Sequence, residues 1–233
     1  MRKIAIVGFK GGIGKTTTCV TLGAGLALRG HRVLLIDTDT QANVAVSLGV
    51  KDYNLSLAEV LIRKVKPEDV IIKARPNLDL LPGSLMLFKA QQRMVLELAR
   101  EEIFNETLGS QNGYDYQLLD CAPSLSSLTI NSVAYADEVI IPVSMEILAM
   151  SGAQQFIEYL QELNQVLHSG AVLRLILPTM YDSRRRVSKF IVSQLKGLGP
   201  NVAKPIRIDT RLSEAPGFGK TIYEYAPHSR GAI

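Results

Sequence analysis

The short apolar run Ile4-Ala-Ile-Val7 passes straight into Gly8-Phe-Lys-Gly-Gly-Ile-Gly-Lys-Thr-Thr17, and a helical stretch starts where the glycines stop. No other segment constrains the fold as tightly. A continuous apolar run that ends in glycine makes a strand buried on both faces. The loop glycines let backbone N–H groups turn inward and approach an anion closely. The helix behind them adds the positive end of its dipole at the same place. Lys15 reaches the outer phosphates as a mobile point charge, and the Thr16 hydroxyl is placed to ligate Mg2+ directly. Strand, glycine loop, Gly-Lys-Thr and helix in that order read as a phosphate-binding loop. Gly11, Gly12, Ile13, Gly14, Lys15, Thr16 and Thr17 are its nucleotide contacts.

The rest of the chain alternates in the same way. Strands are expected at Ile4–Val7, Arg32–Ile36, Val70–Ile72, Leu78–Leu81, Tyr116–Asp120, Glu138–Pro142 (broken by its proline) and Val172–Leu177. Helices are expected at Thr16–Arg29, Ala42–Leu48, Leu55–Lys64 with Ser56 as cap, Ser84–Leu108, Ser127–Ala136, Ile147–Leu167 and Arg186–Gly197. The tail from Asn201 has turn residues and one short strand. Apolar strands between helices predict a doubly wound α/β domain, with a mostly parallel sheet and helices on both faces. Residues 1–233 form one such domain of the P-loop type, with no linker or repeat. Ligands of such sheets bind beyond the carboxyl ends of the strands, here just after Val7, Ile36, Leu119 and Ile141.

Composition excludes other classes. The 233 residues are 47% hydrophobic and 21% charged, which rules out a disordered chain. Cys19 and Cys121 lie far apart and read as buried thiols of a reducing compartment. His31, His168 and His228 fall at helix ends or loops and read as solvated or structural, and no Cys/His spacing fits zinc. No run approaches the ~20 apolar residues of a membrane span, so a cytoplasmic protein is expected. The net charge of +4 is uneven: residues 171–233 hold 11 Lys+Arg against 4 Asp+Glu, leaving 15 against 18 before them.

The loop departs from the pattern Gly-x-x-x-x-Gly-Lys. Phe9 stands where the first glycine would be, and Lys10 adds a lysine that a single nucleotide does not need. With Lys-Gly-Gly-x-Gly-Lys-Thr-Thr the chain resembles the deviant Walker A ATPases of the ParA, Soj and MinD family. That resemblance implies that ATP with Mg2+ clamps two subunits into a homodimer, with Lys10 of each reaching the other's phosphates. The next strand ends Asp37-Thr-Asp39-Thr40-Gln41, where the family has Asp-x-Asp-Pro-Gln with proline in place of Thr40. Two acids beside a triphosphate repel it unless a metal or a water lies between. By resemblance, Asp39 orients the attacking water and Asp37 supports the Mg2+ shell. Asp120-Cys-Ala-Pro123 matches the Walker B strand end, whose carboxylate holds Mg2+ through water. Lys10, Lys15 and Asp39 are thus the catalytic candidates, and Asp37 and Asp120 the water-mediated metal candidates.

The tail also resembles partition ATPases, through Thr210-Arg-Leu-Ser-Glu-Ala-Pro-Gly and Ala226-Pro-His-Ser-Arg-Gly-Ala232. Relatives contact adenine through a Pro-Arg-Asn stretch, where this chain has Arg207-Ile208-Asp209; Asp209 is therefore a nucleotide-binding candidate offering acceptors only. The positive charge gathers at Arg184, Arg185, Arg186 and Lys189, then Lys196, Lys204 and Arg211, with 185, 189 and 196 roughly on one helix face. The family context makes these a non-specific double-stranded DNA surface on a nucleoid-associated ATP dimer. A ParB-like or cargo-adaptor protein would then stimulate slow hydrolysis. Two alternatives stay open. One is a membrane-surface positioning ATPase of the MinD type, against which the chain end carries no amphipathic helix. The other is a metabolic ATPase on the same scaffold, such as nitrogenase reductase relatives, which need cluster-ligating cysteines. The cargo is not legible.

Overall fold

The computed structural model describes residues 1–97, 99–167, 170–198 and 201–233. Its strands are β1 (Arg2–Ile6), β2 (Val33–Asp37), β3 (Ile72–Arg75), β4 (Leu78–Leu81), β5 (Tyr116–Asp120), β6 (Glu138–Ser144) and β7 (Val172–Thr179). They form one sheet in the order β3-β4-β2-β5-β1-β6-β7. Every pairing is parallel except the edge hairpin β3–β4. The helices are α1 (Lys15–Leu28), α2 (Asn43–Leu48), α3 (Leu57–Arg63), α4 (Leu87–Met94), α5 (Ile103–Leu108), α6 (Ser127–Tyr135), α7 (Ile147–Leu167), α8 (Arg186–Leu195), α9 (Arg211–Glu214) and α10 (Ile222–Tyr225).

Two cores explain the continuous apolar strands. Ile4, Ile6, Val33, Leu35 and Leu118 face one core with α1 and α2. Ala5, Val7, Leu34, Ile36 and Leu119, one residue out of phase, face the other with α3 to α8. Successive strand residues point to opposite faces, so a strand covered on both sides is apolar throughout. α1 lies close on the sheet at Gly23, where an added Cβ would fall 2.6 Å from Leu35 Cδ2. β1 is central, and its phosphate loop opens where the chain leaves the sheet.

Most expected elements occur within a residue or two, and the departures have causes. The helix expected over Ser84–Leu108 is two helices. The apolar stripe Leu87, Ala90 and Met94 runs next into Glu97 and Glu101, and Ala99 adopts φ +50°. Buried Asn131 of α6 holds the break: its amide donates to the Arg100 carbonyl and accepts from Phe104 N–H at the start of α5. β6 continues through Pro142 to Ser144. Val7 N–H donates to the Ile140 carbonyl, so the imino nitrogen two residues on faces the same side, where β1 has already ended. The first edge strand is Ile72–Arg75, later than expected, because a 3-10 turn takes Pro67–Asp69 and Asn77 (φ +59°) closes the hairpin. The tail gives two isolated bridges to the β7 side, Val202 to Ile176 and Arg207 to Tyr181, followed by α9 and α10. Ser56 does cap α3, with Glu59 completing a capping box. His168 lies outside the described residues.

Candidate functional site

The loop between β1 and α1 is shaped by Gly12 and Gly14, both left-handed at φ +73° and +93°. Phe9 anchors it. Its ring meets Phe156 of α7 edge-on at 5.0 Å and lies near Tyr159, which accounts for an aromatic where the wider pattern has glycine. Thr179 at the end of β7 donates to the Ile13 carbonyl at 2.9 Å and fixes the far side. Lys15 folds back over the loop and donates to the Lys10 carbonyl at 3.1 Å. Burial lowers its pKa, while Asp120 and Asp39 pull the other way.

Below the loop two carboxylates sit at the ends of adjacent strands. Asp37 and Asp120 are register partners of β2 and β5, and both are buried. Asp37 accepts from Asp39 N–H and Val44 N–H, each at 3.0 Å, which ties it to the turn into α2. Burial first, and Asp120 second, push its carboxyl up. Asp120 Oδ2 accepts from Thr16 Oγ1 at 2.6 Å. Burial raises the Asp120 carboxyl to about 7, with Thr16 and Lys15 pulling it down. Its Oδ1 is buried without a hydrogen-bond partner. Half-buried Asp39 accepts from Gln41 N–H at 3.0 Å. Gly83, after β4, is packed beneath this turn so closely that a Cβ would lie 2.8 Å from the Asp39 carbonyl oxygen.

An orphaned carboxylate oxygen beside a threonine hydroxyl fits a hydrated Mg2+, a hard cation that keeps several waters. Among the described residues no group of three His, Cys, Asp or Glu could hold a metal unaided.

Lys10 goes elsewhere. Its ammonium pairs with Glu146, just before α7, at an exposed edge of the site. The Lys15 side chain thus lies over the loop and that of Lys10 outside it. Sequence reasoning missed Glu146, Gly83 and Thr179. Each acts across a long span of chain and carries no local pattern.

A cavity of about 540 Å³ opens beside Gly14 and Thr17, between α1, β7 and the segment Ile206–Thr210. Asp209 is on its wall, but its oxygens accept from Arg211 N–H and Gly231 N–H, both at 3.1 Å. Arg184, Arg185, Arg186 and Lys189 are exposed around the start of α8. The Tyr181–Arg207 bridge brings the segment carrying Lys204, Arg207 and Arg211 alongside, and all three are exposed. Of the three cations expected on one helix face, only Lys189 is inside the helix. Arg185 precedes α8 and Lys196 follows it. Arg184 is paired with Asp182 at 2.9 Å, a pair so exposed that it contributes little. Cys19 and Cys121 are buried, and burial pushes the Cys121 thiol up to about 12, so neither is a nucleophile. His31 packs edge-on against Tyr116.

A family profile described as an AAA domain matches residues 1–171. The Soj proteins of Bacillus subtilis, a sporulation initiation inhibitor, and of Thermus thermophilus, a chromosome-partitioning ATPase, are each 39% identical to this chain. The matches span 98% and 100% of this chain and 93% and 91% of those proteins. Cobyrinic acid a,c-diamide synthase from Mycobacterium smegmatis, solved with bound ADP and magnesium, has a TM-score of 0.84 at 31% identity and covers 94% of this chain and 92% of its own.

Proposed function

The chain belongs to the Soj/ParA family of P-loop ATPases, and from that premise we propose that it is an ATP-driven dimerisation switch. In the ATP-bound dimer it binds double-stranded DNA non-specifically and positions or segregates DNA or another cargo. Hydrolysis to ADP and phosphate, slow until a ParB-like or adaptor partner stimulates it, resets the switch. The observation that carries this reading is the division between the two lysines. Lys15 lies over its own loop through the Lys10 carbonyl, while the Lys10 side chain leaves that loop for Glu146 at the exposed rim. A cation there serves a facing subunit better than its own.

The roles follow from placement. Gly11 to Thr17 present backbone N–H groups and the α1 N-terminus to the phosphates. Thr16 would ligate Mg2+ and Asp120 would hold it through water; bound Mg2+ supplies neutralisation of the phosphate charge. Asp37, held by two backbone N–H groups, fixes the turn that presents Asp39, and its remaining lone pairs would support the Mg2+ shell through water. Asp39 orients the attacking water. The exposed cations from Arg184 to Lys189, with Lys196, Lys204 and Arg211, meet DNA phosphates, and a dimer doubles those contacts.

DNA retention measured with ATP, with ADP and without nucleotide, across a salt series, tests the reading. The expected result is retention with ATP alone, falling steeply with salt. Equal retention in all three states overturns the switch. The diamide synthase neighbour favours a second reading, ATP-dependent biosynthesis on this scaffold. Absence of ATP-dependent DNA retention, with ATP turnover driven by a small-molecule carboxylate, would reverse the order.

A further inference from the structure

We propose that Phe190 is a wedge in the DNA-binding surface: its ring enters between two base pairs of a duplex while the cations around it hold the phosphates. The inference rests on the DNA-binding reading above. The inner side of α8 is made by Ser188, Ile191 and Leu195, all buried. At 3.6 residues per turn, Arg186, Lys189, Phe190 and Ser193 fall within about 100° of arc on the opposite side, and all four are exposed. Phe190 is 50% exposed, whereas Val187 and Val192 on the flanks of the helix pack against the core. Among the described residues no second ring pairs with it. Ser193, one turn on, folds its hydroxyl back to the Phe190 carbonyl at 2.7 Å, so the ring projects past its neighbour.

The setting of the ring points to its partner. Residues 183–208 hold seven Lys+Arg and no acid. Asp182 and Asp209 bound that stretch, and each accepts from a neighbour in its own turn, Arg184 and Arg211. Such a surface suits a polyanion, and an aromatic ring within it suits one with a stacked apolar interior. Duplex DNA has both. Single-strand platforms carry several rings for successive bases, and here the ring stands alone. A helix lying in a membrane surface needs a whole apolar face, and this face holds one ring among Arg186, Lys189 and Ser193. A lone apolar side chain flanked by cations matches the wedges that unstack one base step from the minor groove.

The wedge and the cations contribute differently. Cations that neutralise phosphates release counterions, so their share of the affinity falls with salt. A ring inserted in the base stack releases none, and its share persists at high salt. Every base pair offers a π-face, so the binding stays broadly non-specific. The steps that open most readily are the flexible pyrimidine–purine ones.

The test titrates the full chain, with ATP and Mg2+, against a mixed-sequence duplex across a salt series. Phe190→Ala is expected to weaken binding about tenfold at every salt concentration and to leave the salt slope unchanged, because stacking is lost and no phosphate contact is. The chain has no Trp, so Phe190→Trp places a single indole at the contact. That variant is expected to bind as the wild type does, with its fluorescence quenched by the duplex. An indole that stays bright on bound DNA, or wild-type affinity in Phe190→Ala, overturns the wedge and leaves the DNA-binding reading intact. Failure of the wild type to bind the duplex overturns both. A blue shift of the indole on phosphatidylglycerol vesicles, without quenching by DNA, assigns the surface to a membrane and overturns the wedge.

Discussion

The two ends of the nucleotide site are built on different principles. At the phosphate end, the groups proposed to meet the ligand are neighbours in the chain: Gly11 to Thr17 form one loop and the first turn of α1. At the base end the wall is assembled from α1, β7, the segment after Val202 and the tail near Gly231. The phosphate end has a group awaiting a partner, the buried Asp120 Oδ1. On the wall of the neighbouring cavity another carboxylate, Asp209, accepts from two backbone N–H groups. The one end is thus specified by local sequence, and the other by segments that meet only in the fold. The same contrast separates Asp37 from Asp120. These register partners are both buried, but both oxygens of the first accept backbone N–H groups and one oxygen of the second has no partner.

The sharpest way to break this contrast is Lys15→Ala. ATP affinity should fall by about a hundredfold or more, since a charge-assisted phosphate contact is lost from a site with no second lysine of its own. Affinity near wild type by calorimetry would place the binding energy at the base end instead. Asp39→Ala should keep ATP binding and dimerisation while hydrolysis drops by about a hundredfold, the usual scale for a water-orienting group. Undiminished phosphate release would remove Asp39 from its role. Replacing Arg184, Arg185 and Arg186 together by alanine should cut DNA affinity by at least about tenfold and flatten its salt dependence. ATP-dependent dimerisation should be untouched. An unchanged salt slope would make the segment a solvated face.

The smallest expected effect concerns Asp120 in the nucleotide-free protein. Burial raises its carboxyl to about 7. A carboxyl with a raised native pKa gives its full contribution while protonated, below the ordinary carboxylate range, and loses it as pH rises through about 7. The wild-type Tm should therefore fall between about pH 4 and 7, and Asp120→Asn should flatten that fall by a few degrees. Parallel profiles would show that the buried carboxylate is already compensated without Mg2+.

Much of this site was legible in the linear chain. The loop, its helix, Asp37, Asp39 and Asp120 all lie where an apolar strand gives way to glycine or acid, and the structure places those strand ends together. Other features were not legible. The break between α4 and α5 depends on Asn131, which lies on α6. The apolar pattern before it extends a single helix. The proline in β6 looked like a terminator, and only the early end of β1 makes its missing N–H harmless.

By itself the sequence determined what short-range backbone chemistry can specify: strands apolar on both faces, a glycine loop with an anion-binding helix start, and carboxylates at strand ends. Only the tertiary structure decided which of those groups are spent. It paired Lys10 with Glu146 across 136 residues and tied Asp209 to Gly231 in the tail across 22. The reason is physical: a side chain's type fixes how many hydrogen bonds it can make, but which donors converge on it depends on segments that meet only in the folded chain.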